Sequence, residues 1–307
     1  VDAPSFIALN KNTGKVLWTD KSPGANILHG QWSSPAIGKL GGVDQVIFVG
    51  GDGWVYSFKA GEEKELLWKF DANPKVAKCI LGGRSTRNNI IATPVIYDDK
   101  VYVAVGQDPE HGEGMGLLWC IDPTKRGDVS PELAVKKDDH SAIIPHRRLQ
   151  AVIPEMDEEA IANPNSAVLW CYGHKTKEEY DDADFEEQMH RSCGTVAIKD
   201  DILYISDFSG LFHCLDAQTG EKHWNYDMLA AAWGSPLIVD GHVYIGDEDG
   251  DVAIFKHSAD PEVAMKDEEP LVEINMGNSI YSTPIVANGV LYIANRTHLF
   301  AITEGGK

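Results

Sequence analysis

The sequence has 307 residues, with 27 Lys and Arg against 47 Asp and Glu, so its formal net charge is −20 with neutral His. A charge this negative excludes a general nucleic-acid binder and an anionic membrane surface as partners, because both require a basic protein surface. The composition, 43% hydrophobic and 24% charged, is typical of a globular chain that buries a sizeable core. The longest uncharged apolar stretch, Met228 to Val239, contains Gly and Pro and is shorter than the roughly 18 residues of a membrane-spanning helix.

The cysteines are widely spaced and form no CxxC, CxxCH or adjacent pair. Zinc ribbons and c-type haem attachment are therefore not supported. Three of the five lie in apolar runs, which predicts structural thiols, with a disulfide as the alternative. The five are Cys79, Cys120, Cys171, Cys193 and Cys214.

One pattern recurs along the chain. Each repeat opens on Ser/Thr-Pro or an equivalent, then contains an alternating strand, a Gly/Asp turn, a third strand and a fourth strand that often carries Trp. The openings are residues 34–35, 93–94, 194–196 (without proline), 235–236 and 283–284. Where no long insertion intervenes, the period is roughly 40–50 residues, which is typical of four-stranded propeller blades.

We therefore predict an all-β fold, a β-propeller of four-stranded antiparallel blades. The predicted blades are residues 33–73, 92–172, 194–228, 234–276 and 281–302. The chain begins in mid-blade, because residues 6–9 read as a third strand, and it ends on another third strand. We expect one domain over 1–307, incomplete at its N-terminal side, with about five to six blades of a ring of seven or eight. We expect insertions at 123–167 and 173–191, the first with a short helix at 154–162, and solvent-facing histidines in both.

Two segments carry a family resemblance. The run from Leu9 to Trp18, LNKNTGKVLW, and the run from Leu215 to Trp224, LDAQTGEKHW, resemble the PQQ-like β-propeller repeat. Quinoprotein alcohol dehydrogenases and BamB-type outer-membrane assembly proteins share this repeat. The resemblance implies that the Trp of each outer strand docks onto the neighbouring blade. It also implies a periplasmic or cell-envelope location.

The loops that link the blades face the central channel together with the turns between second and third strands. Loops on a rigid scaffold tend to carry function, so we predict a ligand- or partner-binding face there. Its candidate residues are His29, Gln31, Trp32, Arg84, Arg87, Asn88, Asn89, His190, Arg191, Trp233, Asn278 and Tyr281.

The three arginines of this set have two interpretations. Arg84, Arg87 and Arg191 suit a polycarboxylate or another small anion, which guanidinium groups bind bidentately. Alternatively, they pair with the acidic residues of the facing turns.

We predict no metal site, although two turns are weak candidates. Asp247, Asp249 and Asp251 resemble half of a calcium loop, but Asp-Gly is also what a tight hairpin needs. The second candidate is the acidic Gly-rich loop that contains Asp108, Glu110 and His111.

The function expected from these features is a non-catalytic binding or assembly scaffold of the bacterial cell envelope, with no cofactor. Its partner is a protein or a small anionic ligand, and neither a nucleic acid nor a membrane span is expected. The adjacent Cys–Cys pair that the resemblance implies for a quinoprotein dehydrogenase does not occur.

The main alternative is a PQQ- and calcium-dependent quinoprotein oxidoreductase acting on an alcohol or sugar. Arg84 or Arg87 would then hold the quinone, Trp32 or Trp233 would stack on it, and Asp52 or Asp247 would act as base. A hydrolase or lyase that uses His29 or His190 has less support, because no nucleophile motif is readable.

Overall fold

The computed structural model describes residues 3–83, 85–106 and 114–304. Its regular secondary structure consists almost entirely of antiparallel strands, which confirms the all-β expectation. The chain divides into two compact units, residues 1–183 and 184–307.

The first unit contains a two-stranded sheet and two complete blades. Its strands are β1 (Phe6–Leu9), β2 (Val16–Asp20), β3 (Ala36–Leu40), β4 (Val43–Val49), β5 (Trp54–Lys59), β6 (Leu66–Asp71), β7 (Val95–Tyr97), β8 (Lys100–Val105), β9 (Leu117–Ile121), β10 (Gly127–Asp128), β11 (Glu132–Lys136), β12 (Glu158–Ala162) and β13 (Val168–Tyr172). β3 to β6 form the first blade, and β7, β8, β9 and β13 form the second. Short 3-10 turns occupy Gly24–Asn26 and Pro154–Met156.

The segment between β9 and β13 packs on the first blade instead of forming a separate loop. β10 pairs with β6 in parallel and gives the first blade a fifth strand. β11 and β12 form an antiparallel pair of their own.

The predicted helix at 154–162 is wrong. Only Pro154–Met156 is helical, Asp157 adopts a left-handed conformation with φ +56°, and the rest is strand β12. Pairing with β11 overrides the local helix propensity of this acidic and Ala-containing run. Glu158 fixes the strand further, because it is buried and accepts both Nη groups of Arg147, at 2.7 and 2.9 Å.

A helix that the sequence reasoning missed, α1 (Lys177–Asp182), lies in the acidic run near the end of the first unit. Thr176 and Glu179 form a capping box at its N-terminus. That Thr-x-x-Glu spacing was readable in the sequence. No helix within the described ranges is long and apolar enough to span a membrane.

The second unit contains two four-stranded blades and a three-stranded sheet. Its elements are β14 (Ala197–Lys199), β15 (Ile202–Ser206), β16 (Leu211–Asp216), β17 (Lys222–Asp227), β18 (Leu237–Val239), β19 (His242–Gly246), β20 (Asp251–Lys256), α2 (Pro261–Ala264), β21 (Val272–Asn275), β22 (Ile285–Ala287), β23 (Val290–Ala294) and β24 (Leu299–Ile302), with a 3-10 turn at Phe185–Glu187. In each of these three sheets, the strands lie side by side in the order in which they occur in the chain.

Tryptophans of the outer strands join neighbouring blades. Trp224 on β17 is buried and donates its indole N–H to the carbonyl of Ser258, just after β20 of the next blade, at 3.0 Å. Trp18 on β2 donates in the same way to the carbonyl of Gly61 in the first blade, at 3.2 Å. These contacts are the docking that the repeat resemblance implies.

The Ser/Thr residues at the blade openings also have a structural role. The hydroxyl of Ser33 donates to the carbonyl of Ala92 at 2.8 Å, so the openings of the first two blades are joined. In the second unit, the backbone N–H of Thr195 donates to Ser235 Oγ, and the N–H of Ser235 donates to Thr283 Oγ1, both at 2.9 Å. The repeated hydroxyl therefore links one blade opening to the next.

Candidate functional site

The turns between second and third strands share one polar device. Asp52, Asp207, Asp247 and Asn295 occupy corresponding positions. In each, a side-chain oxygen accepts hydrogen bonds from backbone N–H groups two to four residues further along, at 2.7–3.2 Å. This is the Asx-turn geometry that stabilises a tight hairpin.

The weak metal candidates of the second unit, Asp247, Asp249 and Asp251, belong to one of these turns. Asp247 Oδ1 caps its own turn, Asp249 is exposed, and Asp251 begins β20. Burial raises the pKa of Asp247 to about 6. In the described part of the chain, no three His, Cys, Asp or Glu residues come together as metal ligands. Arg84 and the acidic loop with Asp108, Glu110 and His111 lie outside the described residues.

Asp52 is the centre of a buried cluster in the first unit. Tyr56 donates its hydroxyl to Asp52 Oδ2 at 2.6 Å, and His146 Nδ1 lies 3.5 Å from the same oxygen. Burial raises the pKa of Asp52 to about 7, against the lowering effect of the Tyr56 bond. Burial also lowers the pKa of His146 to about 3.

The expectation that His146 faces solvent is wrong. Its side chain is only 14% exposed and its ring lies 4.8 Å from that of Trp54. Arg148, two residues further on, donates to the carbonyl of Leu28 at 2.8 Å. We call residues 146–150 the covering segment, because they close over Asp52 and the first-blade turn.

Arg87 is a buried partner of a carboxylate. Its side chain has no exposed surface, and its Nη2 lies 3.4 Å from Asp71 Oδ1. Lys75 Nζ lies 2.7 Å from Asp71 Oδ2 and 4.6 Å from the ring centroid of Trp54. Burial alone would raise the pKa of Asp71, but the charges of Arg87 and Lys75 outweigh it and hold this pKa below its usual value. This geometry favours the ion-pair interpretation of Arg87.

Two of the residues proposed for quinone chemistry in this unit, Arg87 and Asp52, are closed off from a ligand. The guanidinium of Arg87 is held against Asp71. Asp52 is enclosed by Tyr56 and the covering segment, and it has no exposed surface. Neither group can reach a quinone carboxylate or a substrate hydroxyl without opening of the buried cluster.

A second buried cluster, in the second unit, surrounds Asp207. His190 Nδ1 and His213 Nε2 lie 3.0 and 3.2 Å from Asp207 Oδ2, and Ser209 Oγ lies 2.8 Å from Oδ1. His190 Nε2 is 3.1 Å from the side-chain oxygen of Gln188. Burial opposes the charge of Asp207, but the two histidine bonds outweigh it and hold the pKa of Asp207 below its usual range.

This cluster is not a nucleophilic triad. In a triad the hydroxyl and the carboxylate bind opposite nitrogens of the imidazole. Here Ser209 Oγ and Asp207 Oδ2 both approach His190 Nδ1, at 2.5 and 3.0 Å. His190 is also 2% exposed, so the arrangement suits anchoring of the turn better than acyl transfer.

Two of the remaining polar candidates, Gln31 and Asn88, support the backbone of the loops with their side chains. At the start of the first-blade turn, Gln31 donates to the carbonyl of Val49 at 2.7 Å and accepts the N–H of Gly51 at 2.8 Å. Asn88 is buried and donates to a backbone carbonyl at 2.9 Å. Arg191 is buried, and its carbonyl accepts a turn N–H at 3.0 Å. Asn89 is fully buried and Asn278 is half-buried.

Several large exposed side chains of the first-unit loops are apolar. Trp32 is 59% exposed, with the exposed His29 beside it at a ring distance of 6.1 Å. Ile80 and Leu81 are also exposed, Leu81 at 69%. Trp32 is among the binding residues predicted from the sequence, whereas Ile80 and Leu81 are not.

The second unit has a comparable apolar group. Trp233 packs edge-on against Phe208 and Tyr281, with ring centroids 5.4 and 5.0 Å apart, and donates its indole N–H to Glu248 at 2.8 Å. Leu229, in the same loop, is 86% exposed and adopts φ +60°. A bulky residue in this left-handed region is an outlier, and no sequence signal marked it.

These features define a β-propeller architecture with PQQ-like repeats. Residues 159–261 match the family model described as outer membrane protein assembly factor BamB. No curated protein sequence matches the chain significantly. The PQQ-like, BamB-like repeat resemblance seen in the sequence is thus confirmed.

Solved structures show the same fold. BamB from Moraxella catarrhalis aligns with a TM-score of 0.58 and 16% identity over 96% of this chain and 65% of that chain. This chain therefore spans less than two thirds of the length of that BamB, and the likeness concerns the fold alone. A computationally designed protein, Ika4, aligns with a TM-score of 0.41 and 10% identity over 71% of this chain and 92% of that one, which is too distant to carry an argument.

Proposed function

We propose that this chain is a non-catalytic, protein-binding scaffold of the bacterial cell envelope that acts in an assembly process. The family model that matches its residues 159–261 is named for an outer membrane protein assembly factor. The propeller fold that it shares with a solved BamB supports this kind of role.

One observation carries the proposal: the loops and turns bury several of their reactive groups and expose large apolar ones. Arg87, His190 and Asp207 are buried and bonded to groups of the protein itself. Leu81 and Leu229, in linking loops of the two units, are among the most exposed apolar side chains of the described residues. Exposed apolar side chains beside aromatic ones are typical of surfaces that bind proteins.

We therefore assign partner binding to the exposed apolar residues of the linking loops. In the first unit these are Trp32, Ile80 and Leu81, and in the second they are Leu229 and Tyr281. The partner we expect is a protein with an apolar contact surface. A small anionic ligand of Arg87 has less support, because that guanidinium is already paired.

The test compares two double variants of the full-length protein in its source bacterium. Leu81→Ser with Leu229→Ser alters the loops. Ile37→Ser with Leu299→Ser alters strand residues of similar exposure, 70% and 67%, in the same two units. Both variants should fold, since all four side chains are exposed.

The measurement is the amount of each co-purified protein per mole of scaffold, together with the level of assembled outer-membrane proteins. We expect the loop variant to lose one stoichiometric partner and to lower the level of assembled proteins, whereas the strand variant matches the wild type. Equal effects of the two variants, or retention of every partner by the loop variant, would contradict the proposal.

A further inference from the structure

The first unit contains a small cavity that takes no part in the proposed partner surface. Its volume is about 120 Å³. It lies between the loop that joins β6 to β7, the start of β9 and the residues just before α1. Ala77, Met115 and Leu117 supply apolar walls, and Thr86, His174 and Lys175 supply polar groups.

The charge of this cavity is opposite to that of the whole chain. Among the described residues, its lining includes two lysines and a histidine but no Asp or Glu, although acidic residues outnumber basic ones by 47 to 27 in the sequence. The nearest acidic side chains on α1 are already engaged. Glu179 accepts the backbone N–H groups of Lys175 and Thr176, and Asp181 pairs with Lys177.

Lys175 is the cation best placed to meet a ligand. Its ammonium lies 5.7 Å from the ring centroid of Trp119, and among the described residues no carboxylate pairs with it. A cation over an indole ring remains available to an anion, because the ring accepts no proton and carries no net charge.

We propose that this cavity binds a short-chain monocarboxylate, with the carboxylate at Lys175 and the hydrocarbon chain against Met115 and Leu117. An apolar cavity of about 150 Å³ holds one benzene molecule, so a chain of about three or four carbons matches the space here. The hydroxyl of Thr86 accepts the N–H of Lys78 at 3.0 Å and keeps its own hydrogen for a ligand oxygen. This inference goes beyond partner binding and does not depend on it.

The experiment titrates the full chain with sodium butyrate and follows the methyl resonance of Met115 by NMR on methionine-labelled protein. The chain has six methionines, and loss of one signal in Met115→Leu assigns the resonance. 1-Butanol serves as the uncharged ligand of similar size.

Three substitutions accompany the titration. Lys175→Met removes the charge from the rim, and Ala77→Leu fills the cavity. Lys78→Met is the matched control, because Lys78 is an exposed lysine of the same unit that does not line the cavity. Lys175→Met is a surface change, so the test stands even if the filled variant does not fold.

We expect saturable binding of butyrate with a Kd of about 1 mM, since six heavy atoms limit the attainable affinity. Butanol and the Lys175→Met variant should each weaken binding about tenfold, as expected for loss of one charge-assisted contact. Lys78→Met should leave the Kd unchanged. Absence of saturation, equal affinity for butanol, or an unchanged Kd in Lys175→Met would overturn the proposal.

Discussion

At the scale of single residues, the polar side chains that looked reactive in the sequence are largely structural. Asp52, Asp207 and Asp247 each accept turn N–H groups, and Arg87 lies against Asp71. The residue type alone did not distinguish these roles, because a carboxylate that caps a turn and one that holds a metal have the same spacing in sequence. Burial and the partner atoms decide between them.

Among the described residues, Leu229 has the least favourable backbone conformation for its residue type. A non-glycine residue in the left-handed region costs about 1–2 kcal/mol, and an 86% exposed leucine recovers little of this by packing. Such strain tends to persist where it serves function. At this position it displays an apolar side chain on the loop that we propose binds a partner.

We therefore expect Leu229→Asn to raise the free energy of unfolding by about 0.5–1 kcal/mol, because Asn tolerates positive φ. The same change should weaken partner binding. The control is Leu299→Asn, which changes an exposed leucine on a strand with ordinary φ. It should neither raise the free energy of unfolding nor weaken partner binding. Urea denaturation measures the stability, and a loss of stability in Leu229→Asn would refute the strain argument.

At the scale of elements, the covering segment of residues 146–150 joins the first blade through a titratable contact. Between pH 4 and 6.5, Asp52 and His146 respond to pH in opposite directions. The raised pKa of Asp52 makes the folded state lose stability as the pH rises from 3.8 towards 7. The lowered pKa of His146 makes the folded state lose stability as the pH falls from 6.5 towards 3.

The stability difference between each variant and wild type should report the titration of the group that was removed, with opposite sign. We expect the unfolding free energy of Asp52→Asn, relative to wild type, to increase with pH between 4 and 6.5. That of His146→Phe should decrease with pH over the same range. The slopes approach about 1.4 kcal/mol per pH unit if one proton is involved.

The measurement is chemical denaturation at half-unit pH intervals, taken as differences from wild type so that other titrating groups cancel. His140→Phe, which changes an exposed histidine of the same insertion, is the control and should give a flat difference. Slopes of the same sign in the two test variants would contradict the paired arrangement.

The outer-strand tryptophans give a further prediction about elements. Trp224 packs on Phe212 and Phe255 and donates to Ser258. Trp224→Phe keeps part of the packing and should cost about 1–2 kcal/mol for the lost hydrogen bond and volume. Trp224→Ala should cost about 3–5 kcal/mol.

The same substitutions at Trp32 provide the comparison, since Trp32 is 59% exposed. They should change stability by less than about 0.5 kcal/mol. Thermal and urea unfolding followed by circular dichroism measure both series. If the substitutions at Trp224 lower the free energy of unfolding no more than those at Trp32, Trp224 does not hold the blades together.

The sequence predicted the elements whose pattern is local and failed where the decisive contact is remote. Strands β15, β19 and β23 follow from alternation between a Ser/Thr opening and a Gly/Asp turn. The segment 158–162 reads as helix, but its partner β11 lies far along the chain. His146 likewise reads as solvent-facing until Asp52 and Trp54 are brought against it.

At the scale of the whole molecule, the role that we propose is to hold a protein partner rather than to turn over a substrate. We expect no bound-quinone absorbance when PQQ and calcium are added to the purified full-length protein. The reason is that Arg87 is buried against Asp71, and Asp52 and Asp247 are buried in turns. Stoichiometric binding of PQQ that depends on calcium would revive the oxidoreductase alternative.

The most direct test of partner binding by the linking loops is site-specific photo-crosslinking in the source bacterium. A benzophenone amino acid replaces Leu229 or Trp32 on the linking loops. In the controls it replaces Ile37 or Leu299 on exposed strand positions of the same two units. We predict that each loop position crosslinks a discrete protein partner and that neither control does. Crosslinks from the control positions alone, or from no position, would contradict a partner-binding function of the loops.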